Sequence, residues 1–239
     1  IMNIVILNGS PKGETSVTMQ YIKYLENVYS NHTFTYIHAA QQVTKLEKNE
    51  DYFKESMDKI AQSDIILWAF PLYYLLVNSQ YKQFIELLFN KNQNNIFKNK
   101  YCGIFTTSIH FFDHTAVNYM QAISEDLGMN CVDSYTAEMH DLKKPVFQKS
   151  LQQFLQTIID YKEKNLACST MHNAINQSIN EYKPINKLKP ATYSAKVTII
   201  DDSRKTDTSL QNMVHSMNEK FFDAEKISLR SIKMGPCIG

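Results

Sequence analysis

The sequence predicts an α/β fold in which helices cover both faces of a doubly wound, five-stranded parallel sheet. Three observations support this prediction. Short apolar segments of strand length recur along residues 1–164, segments with helical periodicity separate them, and a loop rich in glycine and hydroxyl groups follows the first of them. Strands that alternate with helices form parallel sheets, because each helix carries the chain back to the edge where the next strand begins.

Five segments are predicted to be strands, because each is short, apolar and rich in β-branched or aromatic residues. Nearly continuous apolar segments of this kind are typical of strands that are buried on both faces of a parallel sheet. The five segments are Met2–Leu7, Phe34–Ile37, Asp64–Phe70, Tyr101–Thr107 and Cys131–Ala137.

Helices are predicted between these strands from apolar residues that recur every three or four positions. The helix after the fourth strand is expected to end at Gly128, and a last helix is expected from about Pro145 to Lys162. Residues 1–164 are therefore predicted to form one domain with five helices. The residues expected to face the sheet are Val17, Tyr21, Tyr24, Leu25, Val28, Tyr81, Phe84, Ile85, Leu88, Met120, Ile123, Leu127, Phe147, Leu151, Phe154, Leu155 and Ile158.

The segment that follows, residues 165–195, is polar and is predicted to be a linker with one short helix. That helix would pack on its own domain or, alternatively, on a partner. Its apolar stripe is formed by Met171, Ile175, Ile179 and Tyr182.

The first part of the sequence recurs near the C-terminus at an offset of 193 residues. At that offset Ser10 corresponds to Ser203, and the apolar periodicity of the first helix continues in register. Residues 196–239 are therefore predicted to start a second, degenerate unit of the same kind, a partial β-α-β unit with its second strand at Ile227–Ile232. A chance match within a short α/β segment is the alternative explanation.

The composition argues against several classes of function. With a formal net charge of +1 and interspersed acids and bases, the chain shows neither a nucleic-acid-binding footprint nor an acidic docking surface. Its longest apolar stretch, Ile65–Val77, is too short to cross a bilayer, so no membrane partner is expected. The N-terminus shows no leader pattern, and a cytoplasmic location is expected by default. Cys102, Cys131 and Cys168 are expected to be ordinary reduced thiols.

The loop after the first strand, Asn8–Ser16, carries the strongest functional signal. In a doubly wound sheet, ligands bind outside the carboxyl ends of the strands, and the free N–H groups and dipole of a helix N-terminus attract a phosphate there. Side chains of Ser10, Lys12, Thr15 and Ser16 could add donors and positive charge. The loop fits neither the dinucleotide fingerprint GxGxxG nor the triphosphatase loop GxxxxGKS/T. A plain helix cap by Thr15 or Ser16 is the alternative.

Two more loops follow strands that would end beside the first loop. They are PLYYL at 71–75 and TTSIHFFDH at 106–114, and the rings of the first could lie against a flat ring system. Together with LNGSPKG at 7–13, and with DIILWAFPLYY followed by YKQFIELLF, they make the chain resemble the flavodoxin-like NAD(P)H-dependent FMN reductase family, including clostridial-type members related to iron–sulfur flavoproteins. The resemblance covers residues 2 to about 162.

This resemblance implies a flavodoxin-like sheet with the strand order 2-1-3-4-5 and non-covalently bound FMN, with NAD(P)H as co-substrate. It implies that hydride passes from a nicotinamide to flavin N5 and then to a quinone, a flavin, a nitro or azo compound, or a protein acceptor. Because the cofactor supplies this chemistry, no catalytic side chain is required. The phosphate would be held by Ser10, Lys12, Thr15 and Ser16, and the ring would be edged by Pro71, Leu72, Tyr73, Tyr74, Thr107, Ser108 and His110.

The resemblance also implies a homodimer, in which a second subunit completes the flavin pocket. Many family members have glycine and proline after the tyrosine, whereas this chain has Leu75–Asn78, which predicts a bulkier loop and restricted access. A non-catalytic or electron-carrying module that serves as a docking scaffold is the alternative class of function. The near-neutral charge weakens the electron-carrier alternative, because flavodoxins are markedly acidic. The side chains expected to be covered in the dimer are Tyr73, Tyr74, Phe111 and Phe112.

Two further patterns carry weaker signals. His110 and His114 are four residues apart, which on a helix would allow metal binding, but a hydrogen bond of His110 near the flavin and capping by Asp113 or His114 are favoured. No metal is therefore predicted.

The segment Gly235–Gly239 resembles the opening of the P-C-x-x-C segment of iron–sulfur flavoproteins, interrupted in mid-motif. The single thiolate of Cys237 cannot hold a four-cysteine cluster.

Overall fold

The structure is a computed structural model that describes residues 1–172, 182–183 and 189–232. These residues fall into two compact units, one up to residue 172 and the other from residue 182 to residue 232. The domain boundaries placed at residues 164 and 195 stay a prediction. The predicted linker residues Ile175 and Ile179 and the C-terminal segment with Cys237 lie outside the described residues.

The first unit is built on five strands: β1 Asn3–Asn8, β2 Thr33–Ile37, β3 Ile65–Pro71, β4 Tyr101–Thr107 and β5 Asn130–Ala137. They form a parallel sheet in the order β2-β1-β3-β4-β5. The chain moves outward from β1 to β2 and then returns to the other side of β1 for β3, so the strand order reverses there. The predicted fold class and strand order are confirmed, and every strand lies within one residue of its predicted bounds.

Seven helices lie within residues 1–172: α1 Val17–Val28, α2 Val43–Lys48, α3 Glu50–Ala61, α4 Ser79–Asn90, α5 Asn94–Phe97, α6 Asp113–Asp126 and α7 Pro145–Glu163. The sequence predicts five of them, whereas the division of α2 from α3 and the short helix α5 were not predicted. The chain is extended at Asn49, whose side chain accepts a hydrogen bond from the Tyr52 N–H at 2.9 Å and so starts α3 separately from α2. α5 is a single turn between α4 and β4. None of the described helices has the length and hydropathy needed to cross a membrane.

Apolar layers cover both faces of the sheet. On one face, Leu25 of α1 and Leu155 of α7 belong to the core, and α2 to α6 cover the other face. In that second layer the Trp68 ring stacks on Phe97, with ring centroids 6.1 Å apart. The residues predicted to face the sheet are buried or half-buried except Val28, which lies exposed in the last turn of α1. Because helices cover both faces, a ligand can reach the sheet only at the ends of its strands. Doubly wound sheets bind ligands at the carboxyl ends.

The second unit has a β-α-β arrangement. β6 Thr198–Asp201 and β7 Glu225–Ser228 pair in parallel, and α8 Thr208–Lys220 connects them. The predicted partial β-α-β unit is therefore confirmed. Its second strand begins and ends earlier than the predicted Ile227–Ile232, because β6 offers only four residues for pairing and the chain then enters a 3-10 turn at Leu229–Ser231.

Candidate functional site

A cavity of about 560 Å³ lies at the carboxyl ends of β1, β3 and β4. It occupies the edge where the strand order reverses, which is where doubly wound sheets bind ligands. Its volume falls in the range of about 300–1,000 Å³ that is typical of small-molecule sites. The residues that line it are Ser10, Lys12, Thr15, Ser16, Val17, Thr18, Pro71, Leu72, Tyr73, Tyr74, Leu75, Thr107, Ser108, Ile109, Phe111 and Met139.

The loop after β1 enters α1 through a short turn, Gly13–Thr15. Ser16 is the N-cap of α1: its backbone is extended, and its Oγ accepts a hydrogen bond from the Met19 N–H at 3.3 Å. Gly13 has a φ of +60°, a backbone conformation that strains an L-residue, and this favours glycine here; a Cβ added there would lie 2.5 Å from Oε1 at the end of the exposed Gln41 side chain, which can move away. The capping role of Ser16 is compatible with ligand binding, because Ser16 also lines the cavity.

The hydroxyl groups of this loop are not equally available to a phosphate. Thr15 Oγ1 donates to the Lys12 carbonyl oxygen at 2.9 Å, and Ser16 Oγ donates to the Gly13 carbonyl oxygen at 3.1 Å. Ser10 Oγ instead accepts the Lys12 N–H at 3.3 Å, which leaves its hydroxyl hydrogen for a ligand. The first N–H groups of α1 have no partner inside the helix. Ser10, Lys12 and these N–H groups therefore form the side of the cavity that suits an anion.

Asn78 joins the loop after β1 to the loop after β3. Its Nδ2 donates to the Gly9 carbonyl oxygen, and its Oδ1 accepts the Tyr81 N–H at 3.0 Å, which caps α4. Gly9 packs so closely that an added Cβ would lie 2.7 Å from the Tyr81 ring and 2.8 Å from Phe70 Cβ. The sequence-based site missed this role, although an asparagine directly before an amphipathic helix is a capping signal.

The loop after β3 contains a tight two-residue turn. Tyr73 and Leu76 exchange two backbone hydrogen bonds, at 2.8 and 3.1 Å, and the residues between them, Tyr74 and Leu75, have φ values of 43° and 72°. Such turns favour Asn-Gly, and the left-handed conformation costs an L-residue roughly 1–2 kcal/mol. The turn places Leu75 in the wall of the cavity and leaves Tyr74 98% exposed. The loop therefore carries more side-chain bulk at the cavity than glycine would give it.

The loop after β4 places Thr107 and Ser108 in the cavity wall. Thr107 Oγ1 lies 2.7 Å from Thr18 Oγ1 in the first turn of α1, and Ser108 Oγ donates to Asp113 Oδ2 at 3.0 Å. His110 Nδ1 lies 3.1 Å from the same Asp113 oxygen. Burial would raise the pKa of Asp113, but the hydrogen bonds from His110 and Ser108 outweigh it and hold this pKa below its usual value. His110 thus contacts Asp113 and does not line the cavity.

The spacing of His110 and His114 does not create a pair on one helix. α6 begins at Asp113, so His110 lies in the preceding loop, where its φ is 55°. The N-cap position of α6 is Phe112, not Asp113 or His114. Among the residues that the structure describes, no group of three or more His, Cys, Asp and Glu side chains could hold a metal ion.

Large apolar side chains remain exposed around the cavity. They belong to Tyr74, Ile109, Phe111, Phe112 and Met139. The rings of Phe111 and Phe112 contact each other edge to face, with centroids 4.9 Å apart. Contiguous exposed apolar patches mark interaction sites, so this rim suits an apolar ligand or a second protein surface.

The structure brings the predicted residues of all three loops to one cavity, with His110 as the exception. Their role in binding FMN stays a prediction. Thr18 could have been found from its place in the first turn of the helix that the phosphate loop begins. Met139 could have been found because it follows β5, which pairs with β4. The lining residues that the sequence-based site omitted are Val17, Thr18, Leu75, Ile109, Phe111 and Met139.

Three solved structures illustrate the likeness to known proteins. The NADH:FMN oxidoreductase EMOB is 18% identical, with a TM-score of 0.56 over 72% of this chain and 95% of that chain. RosB, solved with bound 8-demethyl-8-formylriboflavin-5′-phosphate, is 13% identical, with a TM-score of 0.54 over 82% of this chain and 100% of that chain. FerB from Paracoccus denitrificans, a flavoenzyme NAD(P)H:(acceptor) oxidoreductase, is 16% identical, with a TM-score of 0.50 over 67% and 98%. At these identities the likeness concerns the fold alone.

The family assignment rests on the sequence. A family model described as the flavodoxin-like fold matches residues 2–161, which is more than half of the chain. None of the curated proteins matches the sequence. The matched residues include all three loops that line the cavity. The chain therefore belongs to the family of the flavodoxin-like fold, as its resemblance to flavodoxin-like NAD(P)H-dependent FMN reductases predicts.

Proposed function

We propose that the chain binds FMN non-covalently in this cavity and acts as an NAD(P)H-dependent oxidoreductase. The observation that carries the proposal is the uneven chemistry of the cavity. One side is built from a helix N-terminus with Ser10 and Lys12, and the other side is apolar and aromatic, with Tyr73, Leu75 and Phe111. FMN has the matching chemistry, because it joins one phosphate to one flat ring system.

The anion side suits a single phosphate group. The N-terminus of the 12-residue helix α1 attracts an anion, and the Ser10 hydroxyl hydrogen and the Lys12 ammonium add a donor and a charge. The hydroxyls of Thr15 and Ser16 can join once they turn away from the carbonyl groups that they now contact. Because the loop has no fingerprint for an adenine half, FMN is favoured over FAD.

The apolar side suits the flavin ring. Tyr73, Leu75 and Phe111 would pack against the ring and exclude water from it. The paired hydroxyls of Thr18 and Thr107, 2.7 Å apart, add a polar group to the wall that could orient the ring edge. When bound, FMN supplies the redox chemistry, in which a nicotinamide delivers hydride and an acceptor takes the electrons.

The lining favours chemistry that is centred on a cofactor. Among the described residues that line the cavity, none is an aspartate, glutamate, cysteine or histidine. These residue types provide most nucleophiles and general acid–base catalysts. The ionisable side chains that do line the cavity are those of Lys12, Tyr73 and Tyr74. We therefore propose that the chain binds, orients and shields the cofactor and that no side chain acts as a covalent catalyst.

The solved relatives support the class of reaction but do not identify the substrate. One is named an NADH:FMN oxidoreductase and another an NAD(P)H:(acceptor) oxidoreductase. For this chain we propose NADH or NADPH as the electron donor and a quinone, a flavin, a nitro or azo compound, or a protein as the acceptor. The exposed side chains of Tyr74, Ile109 and Phe111 beside the cavity favour an acceptor with an apolar ring.

We also propose that the chain forms a homodimer. Tyr74, Phe111 and Phe112 are exposed beside the cavity and would be covered by a second copy, whereas Tyr73 is already half-buried. Sedimentation at micromolar concentration should give the mass of a dimer, and a monomer would contradict this proposal. A cytoplasmic location stays a prediction.

An absorbance spectrum tests the proposed function. Purified protein is incubated with FMN, freed of unbound flavin and titrated without oxygen with NADPH and, separately, with NADH. We expect a bound-flavin spectrum that bleaches on addition of the reduced nicotinamide. Bleaching only by dithionite or by another redox protein would support the electron-carrier alternative. Protein that retains no FMN would contradict the proposal and support the alternative function, a non-catalytic docking scaffold.

A further inference from the structure

His38 contacts two separate parts of the loop after β1. It follows β2, and its side chain is 17% exposed. Its Nδ1 lies 2.9 Å from Asn8 Nδ2, and its Nε2 lies 3.3 Å from Glu14 Oε1. Asn8 is the last residue of β1, whereas Glu14 lies in the turn that precedes α1. The imidazole ring therefore bridges the start and the end of the loop.

The hydrogen bonds assign a role to each atom of this bridge. The Ser10 N–H can only donate, and it lies 2.9 Å from the Asn8 side chain, so the atom it contacts is the Asn8 oxygen. The other Asn8 atom is then the NH₂ group, which donates to His38 Nδ1. A neutral ring that accepts at Nδ1 carries its hydrogen on Nε2, where it faces the Glu14 carboxylate. A hydrogen on Nδ1 would break this set of contacts.

Both ends of the bridge affect the anion side of the cavity. Through Asn8, the ring fixes the amide that holds the backbone of Ser10, whose side chain lines the cavity. Through Glu14, it holds a carboxylate with the same sign of charge as a phosphate. The Glu14 side chain is 69% exposed and does not line the cavity, although Lys12 and Thr15 on either side of it do. Removing the histidine would remove this contact of the Glu14 carboxylate.

We propose that His38 is a positioning residue for the phosphate of the bound flavin and that it acts through Asn8 and Glu14. We call these three residues the Asn8–His38–Glu14 brace. The inference rests on the proposed function, because it takes the loop after β1 to be the phosphate site. None of the three residues lines the cavity. The brace therefore sets the geometry and charge of the loop without touching the flavin ring.

The brace is tested first without any flavin. ¹⁵N NMR of the ligand-free protein reports which ring nitrogen of His38 carries the hydrogen, and hydrogen exchange reports the protection of the Ser10 amide. We expect the hydrogen on Nε2. We also expect the Ser10 N–H to exchange about tenfold faster in His38→Leu, which leaves the Asn8 amide without its acceptor. A hydrogen on Nδ1, or an unchanged exchange rate in the variant, would overturn the proposal.

The second measurement compares FMN with riboflavin, which has the same ring but no phosphate. We expect His38→Leu to weaken FMN binding about tenfold and to leave riboflavin binding unchanged. His38→Asn should restore the part of the FMN affinity that depends on Asn8, because its Oδ1 replaces Nδ1 as the acceptor, but not the part that depends on the Nε2 contact with Glu14. The matched control, His215→Leu, removes an exposed histidine of α8 and should bind both flavins as the unaltered protein does.

The outcomes separate this proposal from the proposed function. Unaltered protein that does not prefer FMN to riboflavin would contradict the phosphate site, and the exchange rate of Ser10 would still decide whether the brace exists. A second result is that the unaltered protein prefers FMN while His38→Leu weakens the binding of FMN and riboflavin equally. That result would support the phosphate site and contradict the positioning role of His38. The loss would then reflect general damage to the fold.

Discussion

The loops after β1 and after β6 start with the same turn and then diverge. In the first loop, the Asn8 side chain accepts the N–H of Ser10 at 2.9 Å. In the second, Asp201 stands at the offset of 193 residues and accepts the N–H of Ser203 at 2.7 Å. Asn8 and Asp201 are each the last residue of their strand. The repeat in the sequence therefore has a counterpart in backbone geometry.

The two loops differ in charge and in what satisfies their N–H groups. Asp201 and Asp202 stand where the first loop has the neutral pair Asn8–Gly9. In the second loop the Arg204 N–H donates at 2.8 Å to the carboxylate of Asp207, the N-cap of α8. The second loop thus places its own carboxylates at a helix N-terminus, where an anionic ligand would otherwise bind. The two loops therefore share a turn, but only the first is expected to bind an anion.

The largest expected difference between the loops is the presence or absence of a flavin. We expect at most one FMN per chain, because Asp201, Asp202 and Asp207 would repel a phosphate from the second loop. Flavin released from the protein and quantified against the protein concentration measures this ratio. A ratio that approaches two would show that the charge of the second loop does not prevent binding.

The second-largest expected difference is the effect on FMN affinity of removing hydroxyl groups from each loop. Ser10→Ala combined with Thr15→Ala should weaken FMN binding by roughly 1–3 kcal/mol for each charge-assisted hydrogen bond lost. Ser10 should account for more of this loss, because the Thr15 hydroxyl already donates to a backbone carbonyl. The matched double variant, Ser203→Ala with Thr208→Ala, should leave the affinity unchanged in a fluorescence titration. An unchanged affinity in the first variant would refute the phosphate assignment.

A third difference concerns backbone conformation. Gly13 has a φ of +60° and abuts Gln41, whereas Thr206, at the same offset, is outside the left-handed region. Gly13→Ala should therefore cost roughly 1–2 kcal/mol of unfolding free energy and weaken FMN binding. Thr206→Ala should change stability by less than about 0.5 kcal/mol. Urea unfolding of both variants checks this, and similar losses in the two would contradict it.

The fold could be predicted to within a residue of each strand of the first unit, because its strands are nearly continuous apolar segments buried on both faces. Where the prediction was incomplete, local contacts decided the outcome. Asn49 caps α3 and thereby divides one predicted helix into two. In the second unit, pairing with β6 decided where β7 ends, and the hydrophobicity of Ile227–Ile232 did not.

The site was predictable as far as it depends on topology. The loops after β1, β3 and β4 were expected to meet because the carboxyl ends of these strands share one edge of the sheet. The contacts of His38 with Asn8 and of Asn78 with Gly9 join residues that are far apart in sequence. No spacing pattern encodes such pairs. The contact of His110 with Asp113 could not be predicted from spacing either. These residues are close in sequence, but their contact depends on the conformation of the loop between them.

The smallest expected effect comes from an ion pair beside the second loop. The Arg230 guanidinium lies 3.2 Å from Asp202 Oδ1, and its Nε–H donates to the Asp202 carbonyl oxygen at 2.9 Å. Both side chains are well exposed, at 43% for Arg230 and 60% for Asp202, so the pair contributes about 0–1 kcal/mol and is weakened by salt. Asp202→Asn should therefore lower the unfolding free energy of the second unit by at most about 1 kcal/mol.

Urea unfolding at low and high salt measures this difference, which should shrink as salt rises because salt screens the exposed ion pair. The hydrogen bond to the Asp202 carbonyl oxygen does not depend on the side chain and should remain in the variant. The same variant also tests how much one carboxylate contributes to the difference between the two loops. Position 202 corresponds to Gly9, so Asp202→Asn removes a charge but leaves a side chain where the first loop has none. Asp201 and Asp207 also remain, and the FMN ratio should stay at one per chain. A second FMN in this variant would show that one carboxylate, rather than the whole loop, separates the two sites.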